Sequence, residues 1–135
     1  MYQNILIPVV VEHDHNNQAS FEAAKVLANT DAKFTILHVL EAIPGFALSE
    51  IPADLLNKSH SEREKAVSKM ADALPGSEVK IVSGHAGRTI IDYATDNGVD
   101  CIVVASHRPG IGDFFLGSTA ARVVRHAKCS VHVIR

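Results

Sequence analysis

Short apolar segments of strand length alternate with helical patterns along this chain, and that alternation restricts its fold more than any other feature. Asn4 to Val11 (NILIPVVV) is a continuous apolar run. Such a run suits a central parallel strand covered on both faces. Pro8 cannot donate to a ladder, so pairing is expected to end near it. The polar segment His13 to Asn17 is expected to supply a helix cap. Phe21, Ala24, Leu27 and Ala28 recur at helical spacing and predict a helix from about Asn17 to Asn29.

Lys33 to Leu40 (KFTILHVL) reads as the second strand. Glu41 to Pro52 holds Pro44, Gly45 and Pro52 and reads as a loop. Ile43 to His60 is expected to be the least ordered stretch, in the manner of a flap. Ala53 to Leu74 is a longer amphipathic helix ended by Pro75 and Gly76. Glu78 to Val82 is a short strand, Gly84 to Gly87 a turn, and Arg88 to Asn97 a helix closed by Gly98. Asp100 to Ala105 is the fourth strand, with Asp100 capping a turn before it. Gly117 to Ala127 is the last helix and Ser130 to Ile134 the last strand.

Strict β-α alternation with buried strands predicts an α/β sandwich, a mainly parallel five-stranded sheet and right-handed crossovers. The expected strand order is 3-2-1-4-5. Ligands of open α/β sheets sit beyond the carboxyl ends of the strands, where the order reverses. Here that point lies between the first and fourth strands. The loops after Val10 and after Ala105 would face each other there, bringing His13, Asp14, Ser106 and His107 near one crevice.

The chain has 135 residues, which predicts one domain spanning 1–135. Hydrophobic residues make up 47% and charged residues 21%, the balance of an ordinary globular domain. The net charge is −2 and no run of Lys or Arg stands out, which speaks against nucleic acid as a partner. No apolar run approaches the roughly 20 residues of a membrane span, and no secretory leader is visible. The cysteines, Cys101 and Cys129, both fall at predicted strand starts and read as reduced thiols rather than a disulfide framework. A cytoplasmic location is expected.

The stretch from Ala105 to Ala121 is the main pointer to function. It runs from an apolar strand through a loop with Gly110, Gly112 and Gly117 into a helix opened by Gly117, Ser118 and Thr119. Unpaired N–H groups and the positive dipole end of such a helix favour an anion. Arg108 could pair with phosphate oxygens or stand as a solvated charge. There is no Walker A sequence and no complete GxGxxG, so standard P-loop and dinucleotide folds are disfavoured. His13-Asp14-His15 reads as a solvated loop before a metal site. His38, inside an apolar strand, reads as a packed core or crevice histidine. No nucleophile elbow and no zinc spacing is present, and no catalytic residue is assigned.

The chain resembles the universal stress protein family along nearly its whole length. Ile5-Leu6-Ile7-Pro8-Val9, Ile36-Leu37-His38-Val39 and the stretch from Cys101 to Arg135 carry the likeness. Leu116 to Ala127 and the ending Cys129 to Ile134 are its most specific parts, and Ala105-Ser106-His107-Arg108-Pro109 is similar to the enterobacterial F/G-type branch. The resemblance implies a three-layer α/β sandwich of the adenine-nucleotide alpha-hydrolase type that binds ATP or AMP. It also implies a cytoplasmic homodimer paired through the last strand (Val131, His132, Val133, Ile134), linked to survival under stress. By position, Pro8, Val9 and Val10 match the segment beside the nucleoside and Val39 the adenine pocket. Ala105, Ser106, His107, Arg108 and Gly110 match the phosphate loop, and Gly117, Ser118, Thr119 and Ala120 the phosphate cradle at the helix start.

Two departures stand out. The family pattern of Gly, two residues, Gly, nine residues, then Gly-Ser/Thr has Ala105 and Arg108 in place of its first two glycines. Only eight residues, Pro109 to Leu116, then precede Gly117. Val10 stands where the family usually has an Asp that contacts the nucleoside or helps hold a metal, with Glu12 and Asp14 as the nearest substitutes. A Mg²⁺ requirement is left open. Three functions follow: a nucleotide-binding stress regulator, a dimeric interaction module without a nucleotide site and with an unknown protein partner, and a slow ATPase or self-phosphorylating protein using Ser118 or Thr119.

Overall fold

The structure, a computed structural model, describes residues 1–11, 17–41, 45, 49–106 and 116–135. In chain order these residues form β1 (Tyr2–Pro8), α1 (Gln18–Leu27), β2 (Ala28–Leu40), α2 (Ala53–Met70), a 3₁₀ turn (Ala71–Ala73), β3 (Glu78–Ser83), α3 (Ala86–Asp96), β4 (Cys101–Ala105), α4 (Ser118–His126) and β5 (Ser130–Ile134). The strands form one sheet in the order β3-β2-β1-β4-β5, with every neighbouring pair parallel. This is the predicted topology.

The continuous apolar runs have a direct structural cause. Alternate residues of a strand point to opposite faces, and here helices cover both. Ile5, Ile7, Val9, Ile36 and Val103 pack with Phe21 and Ala24 of α1 and Val67 of α2. Leu6, Leu37, Ile102 and Val104 pack on the other face with Ile90 and Ala94 of α3 and Ala120 and Val123 of α4. On the second face the helices approach closely. A methyl group at Gly87 would lie 2.8 Å from Cδ of Arg122, so this glycine lets α3 lie against α4.

Several boundaries differ from the sequence reading. β1 starts at Tyr2 rather than Asn4 and, as expected from Pro8, stops short of Val11. The Val9 amide turns to β2, so the N–H that Pro8 lacks would have faced β4. The early start has a distant cause: the Asp100 carboxylate accepts the amides of Gln3 and Asn4, both at 2.9 Å. Asp100 therefore ties two strands together rather than capping a turn. β2 begins at Ala28, five residues early, and a bulge separates the pair Tyr2↔Ala28 from Asn4↔Lys33. α1 accordingly ends at Leu27. Asn17 does not cap α1 with its side chain; its Nδ2 donates to the carbonyl of Val10 at 2.9 Å.

α2 ends at Met70 and tightens into the 3₁₀ turn before Gly76, which takes a φ of 84°. α3 starts at Ala86, two residues early, because the ring of His85 accepts the amide of Arg88 at 3.5 Å and caps it. Gly98, with φ 65°, closes α3 as read from the sequence. Cys101 and Cys129 are both free. Cys101 belongs to the core under α1 and α2, and Cys129 packs against the core under α3 and α4. The two thiols thus belong to cores on opposite faces of the sheet. Among the described residues no helix is long and apolar enough to cross a membrane.

Candidate functional site

β1 and β4 pair only through Ile5↔Cys101 and Leu6↔Ile102 among the described residues. Beyond that point each strand continues with its outer neighbour. β1 stays with β2 as far as Pro8↔Leu37, and β4 stays with β5 as far as Ala105↔Ile134. The sheet therefore parts at the carboxyl ends of β1 and β4, where the strand order reverses. That is the place at which open α/β sheets bind ligands.

The wall on the β1 side is held from β2. The Val9 amide donates to the Leu37 carbonyl at 2.9 Å, and Nδ1 of His38 lies 3.1 Å from the Val9 carbonyl oxygen. Pro8 is half-buried, Val9 is buried in the core under α1, and Val10 is 38% exposed. Val39, near the end of β2, is half-buried, pairs with Val82 and packs against the core under α3 and α4.

The wall on the β4 side is held from β5. The buried Ser106 donates its amide to the Ile134 carbonyl at 2.8 Å, and its Oγ lies 3.4 Å from the same oxygen. Ala105 is half-buried. α4 then starts beside this wall: a methyl group built on Gly117 would have the Ser106 carbonyl oxygen, 3.8 Å away, as its nearest neighbour among the described residues. Ser118 is exposed, Thr119 half-buried and Ala120 buried. The first bond of the helix runs from the Ala121 amide to the Gly117 carbonyl at 2.8 Å. No side chain caps α4 among the described residues. Its first amides carry the positive end of the helix dipole, and Arg125 and His126 complement the negative end.

Of the residues singled out in the sequence, the structure places Pro8, Val9 and Val10 at the end of β1 and Ala105 and Ser106 at the end of β4. Gly117, Ser118, Thr119 and Ala120 open α4. His107, Arg108 and Gly110 lie outside the described residues, as do Glu12, His13, Asp14 and His15. Among the described residues no His, Cys, Asp and Glu cluster could hold a metal ion. His38 is buried, as read from the sequence, but sequence reasoning missed the partners by which His38 and Asn17 fasten the end of β1. A polar residue set inside the apolar run Thr35 to Leu40 was the available signal for His38.

The family model described as the universal stress protein family matches residues 1–135. Universal stress protein G of Escherichia coli O157:H7 is 28% identical over 142 aligned positions, covering all of both chains. Universal stress protein A homolog 2 of Coxiella burnetii is 31% identical, covering 99% of this chain and 95% of that one. Among solved structures, the universal stress protein UspA from Lactobacillus plantarum superposes with a TM-score of 0.78 at 30% identity, covering 99% of this chain and 98% of that one. More distant structures share the fold. One from Archaeoglobus fulgidus was solved in complex with dAMP (TM-score 0.65, 17% identity) and one from Arabidopsis thaliana with AMP bound (TM-score 0.62, 23% identity). With the match running from the first residue to the last, and with the same doubly wound sheet in the solved relatives, the chain belongs to the universal stress protein family.

Proposed function

We propose that this chain binds an adenine nucleotide, ATP or AMP, in the crevice between β1 and β4 and serves as a cytoplasmic stress-response regulator without strong catalysis. The base lies toward Pro8, Val9, Val10 and Val39 in this reading. The phosphates lie against the amides and hydroxyls at the start of α4, with Ala105 and Ser106 alongside; His107, Arg108 and Gly110, outside the described residues, belong to the phosphate loop by resemblance. Fold alone does not carry the reading, because one fold hosts many functions. Gly117 carries it. Its φ of −54° and ψ of 152° suit any residue, and a Cβ there would meet nothing closer than 3.8 Å among the described residues. Neither backbone nor packing among the described residues requires a glycine, yet it sits at the uncapped amino end of a helix. A bound anion approaching the backbone supplies the reason. The dAMP and AMP found in the two distant relatives support the same ligand class.

The test is a titration of the purified protein with AMP and ATP, each with and without Mg²⁺, alongside mass measurement of any co-purified nucleotide. Saturable binding that Gly117→Val abolishes, with the fold retained, is the expected result. Unchanged affinity in that variant would overturn the phosphate assignment.

Val10 favours a second reading. It is an exposed apolar residue where the family usually has a carboxylate, which suits an interaction module that has lost nucleotide binding. A wild-type protein that neither co-purifies with nor binds nucleotide would select it. In both readings the chain acts as a homodimer, paired through Val131, His132, Val133 and Ile134 of the edge strand β5. Unpaired edges are liabilities that natural proteins cover, and a two-fold axis covers this one with its own copy.

A further inference from the structure

Where β1 parts from β4, the described residues hold Val9 from β2, and His38 is part of the fastening. Val9 is the first residue beyond β1. Its amide is taken by the main chain of Leu37 and its carbonyl faces the ring of the next residue, His38. Val10 then turns away, with its carbonyl held by Asn17. Residues 37 and 38 of β2 thus grip Val9 at both main-chain groups, while β4 no longer pairs with β1 at this level.

The contact dictates the state of the ring. A carbonyl oxygen only accepts, so a hydrogen bond at 3.1 Å requires the proton on Nδ1. In the neutral ring Nε2 then carries a lone pair. It is buried with no partner among the described residues, in a side chain only 6% exposed. Placing the proton on Nε2 instead would set two acceptors against each other and leave a buried N–H unpaired, which is the costlier arrangement.

We infer that His38 is a positioning residue for the crevice: by donating from Nδ1 to the Val9 carbonyl it holds the end of β1 against β2 and keeps the β1 wall apart from β4. The inference rests on the nucleotide reading above, since its consequence is the width of that site. His38 needs no contact with the ligand. It acts through Val9, setting the distance between the Pro8–Val10 segment and Val39 on one side and the start of α4 on the other. Without the bond, the Val9 carbonyl is left to turn into the crevice in search of a donor.

Two measurements test this. The first is the tautomer of His38 in the ligand-free wild-type protein, read from long-range ¹H–¹⁵N correlations of the ring. The Nδ1–H form, the less common one in free histidine, is expected, and the Nε2–H form would overturn the inference. The second compares His38→Asn with His38→Leu. The Asn amide nitrogen occupies nearly the place of Nδ1 and can still donate to Val9, whereas Leu cannot. Both variants lose the ring and are expected to melt lower. Only His38→Leu is expected to bind AMP or ATP more weakly, by roughly fivefold to tenfold, the loss of one positioning hydrogen bond. Equal affinities in the two variants, with the wild type binding, would overturn the positioning role. Absence of binding by the wild type would instead overturn the nucleotide reading on which it rests.

Discussion

Asn4 and Asp100 hold each other twice. The Asp100 carboxylate accepts the Asn4 amide at 2.9 Å, and the Asp100 amide donates to the Asn4 carbonyl at 3.0 Å. The Asn4 side chain adds bonds to the carbonyls of Asn97 and Gly98 at 2.9 and 3.2 Å. The two central strands are thereby joined at the end opposite their parting. Removing the carboxylate strands the amides of Gln3 and Asn4. Asp100→Ala is expected to lower stability by about 1.5–3 kcal/mol, the range for hydrogen bonds to a charged group, with less loss in Asp100→Asn. Urea denaturation measures it, and an unchanged midpoint would refute the role.

Gly84 is a conformational requirement of a kind that Gly117 is not. Its φ is 150°, and a methyl group there would lie 2.5 Å from Oγ1 of Thr89. Gly84→Ala is expected to cost about 1–3 kcal/mol from strain and overlap together. Adding Thr89→Ala should restore only the part due to overlap. A double-mutant cycle by thermal denaturation separates the two.

Burial pushes the Cys101 thiol from its ordinary 9.0 up to about 11, with the neighbouring Cys129 and Asp100 adding to the rise. Burial also raises Cys129. The folded protein therefore keeps a proton that the unfolded chain releases. The stability tied to this group is intact below pH 9 and is lost as the pH climbs toward 11. A shift of this size corresponds to about 2–3 kcal/mol at its limit. Denaturation at pH 8 and pH 10.5 should show the decline in the wild type and a smaller one in Cys101→Val. Thiol reagents at neutral pH should reach Cys101 only after unfolding.

The dimer proposal gives a directional prediction. Ile134 turns its carbonyl toward β4, where it accepts from Ser106. Main-chain groups alternate along a strand, so Val131 and Val133 turn theirs toward the open edge. Val133→Pro removes one outward donor without touching the ladder to β4. Sedimentation should shift from dimer to monomer while the circular dichroism spectrum is retained. A wild type that is monomeric at micromolar concentration would refute the pairing.

The site was legible in the sequence in proportion to how local its causes are. The helix start at Gly117 to Ala120 could be read directly, because a glycine before small hydroxyl residues after a strand and loop is a local pattern. The fastening of Val9 could not. His38 in an apolar strand fits several packing arrangements, and which atom it faces depends on the register of β2 against β1. The β1 boundary shows the same limit: Pro8 announced where the strand stops, whereas its early start depended on Asp100, close in space and far along the chain.

The order of strands and helices along the chain and the two-sided burial of β1 and β4 followed from residue periodicity alone. Hydrophobic spacing reports secondary structure and burial wherever the chain folds. The parting of β1 from β4, the grip of His38 on Val9, the tie between Asn4 and Asp100 and the opposite facing of the two cysteines were decided only by tertiary structure. Each depends on the register between segments distant in sequence, and a shift of one residue would turn every one of these side chains to the other face of the sheet.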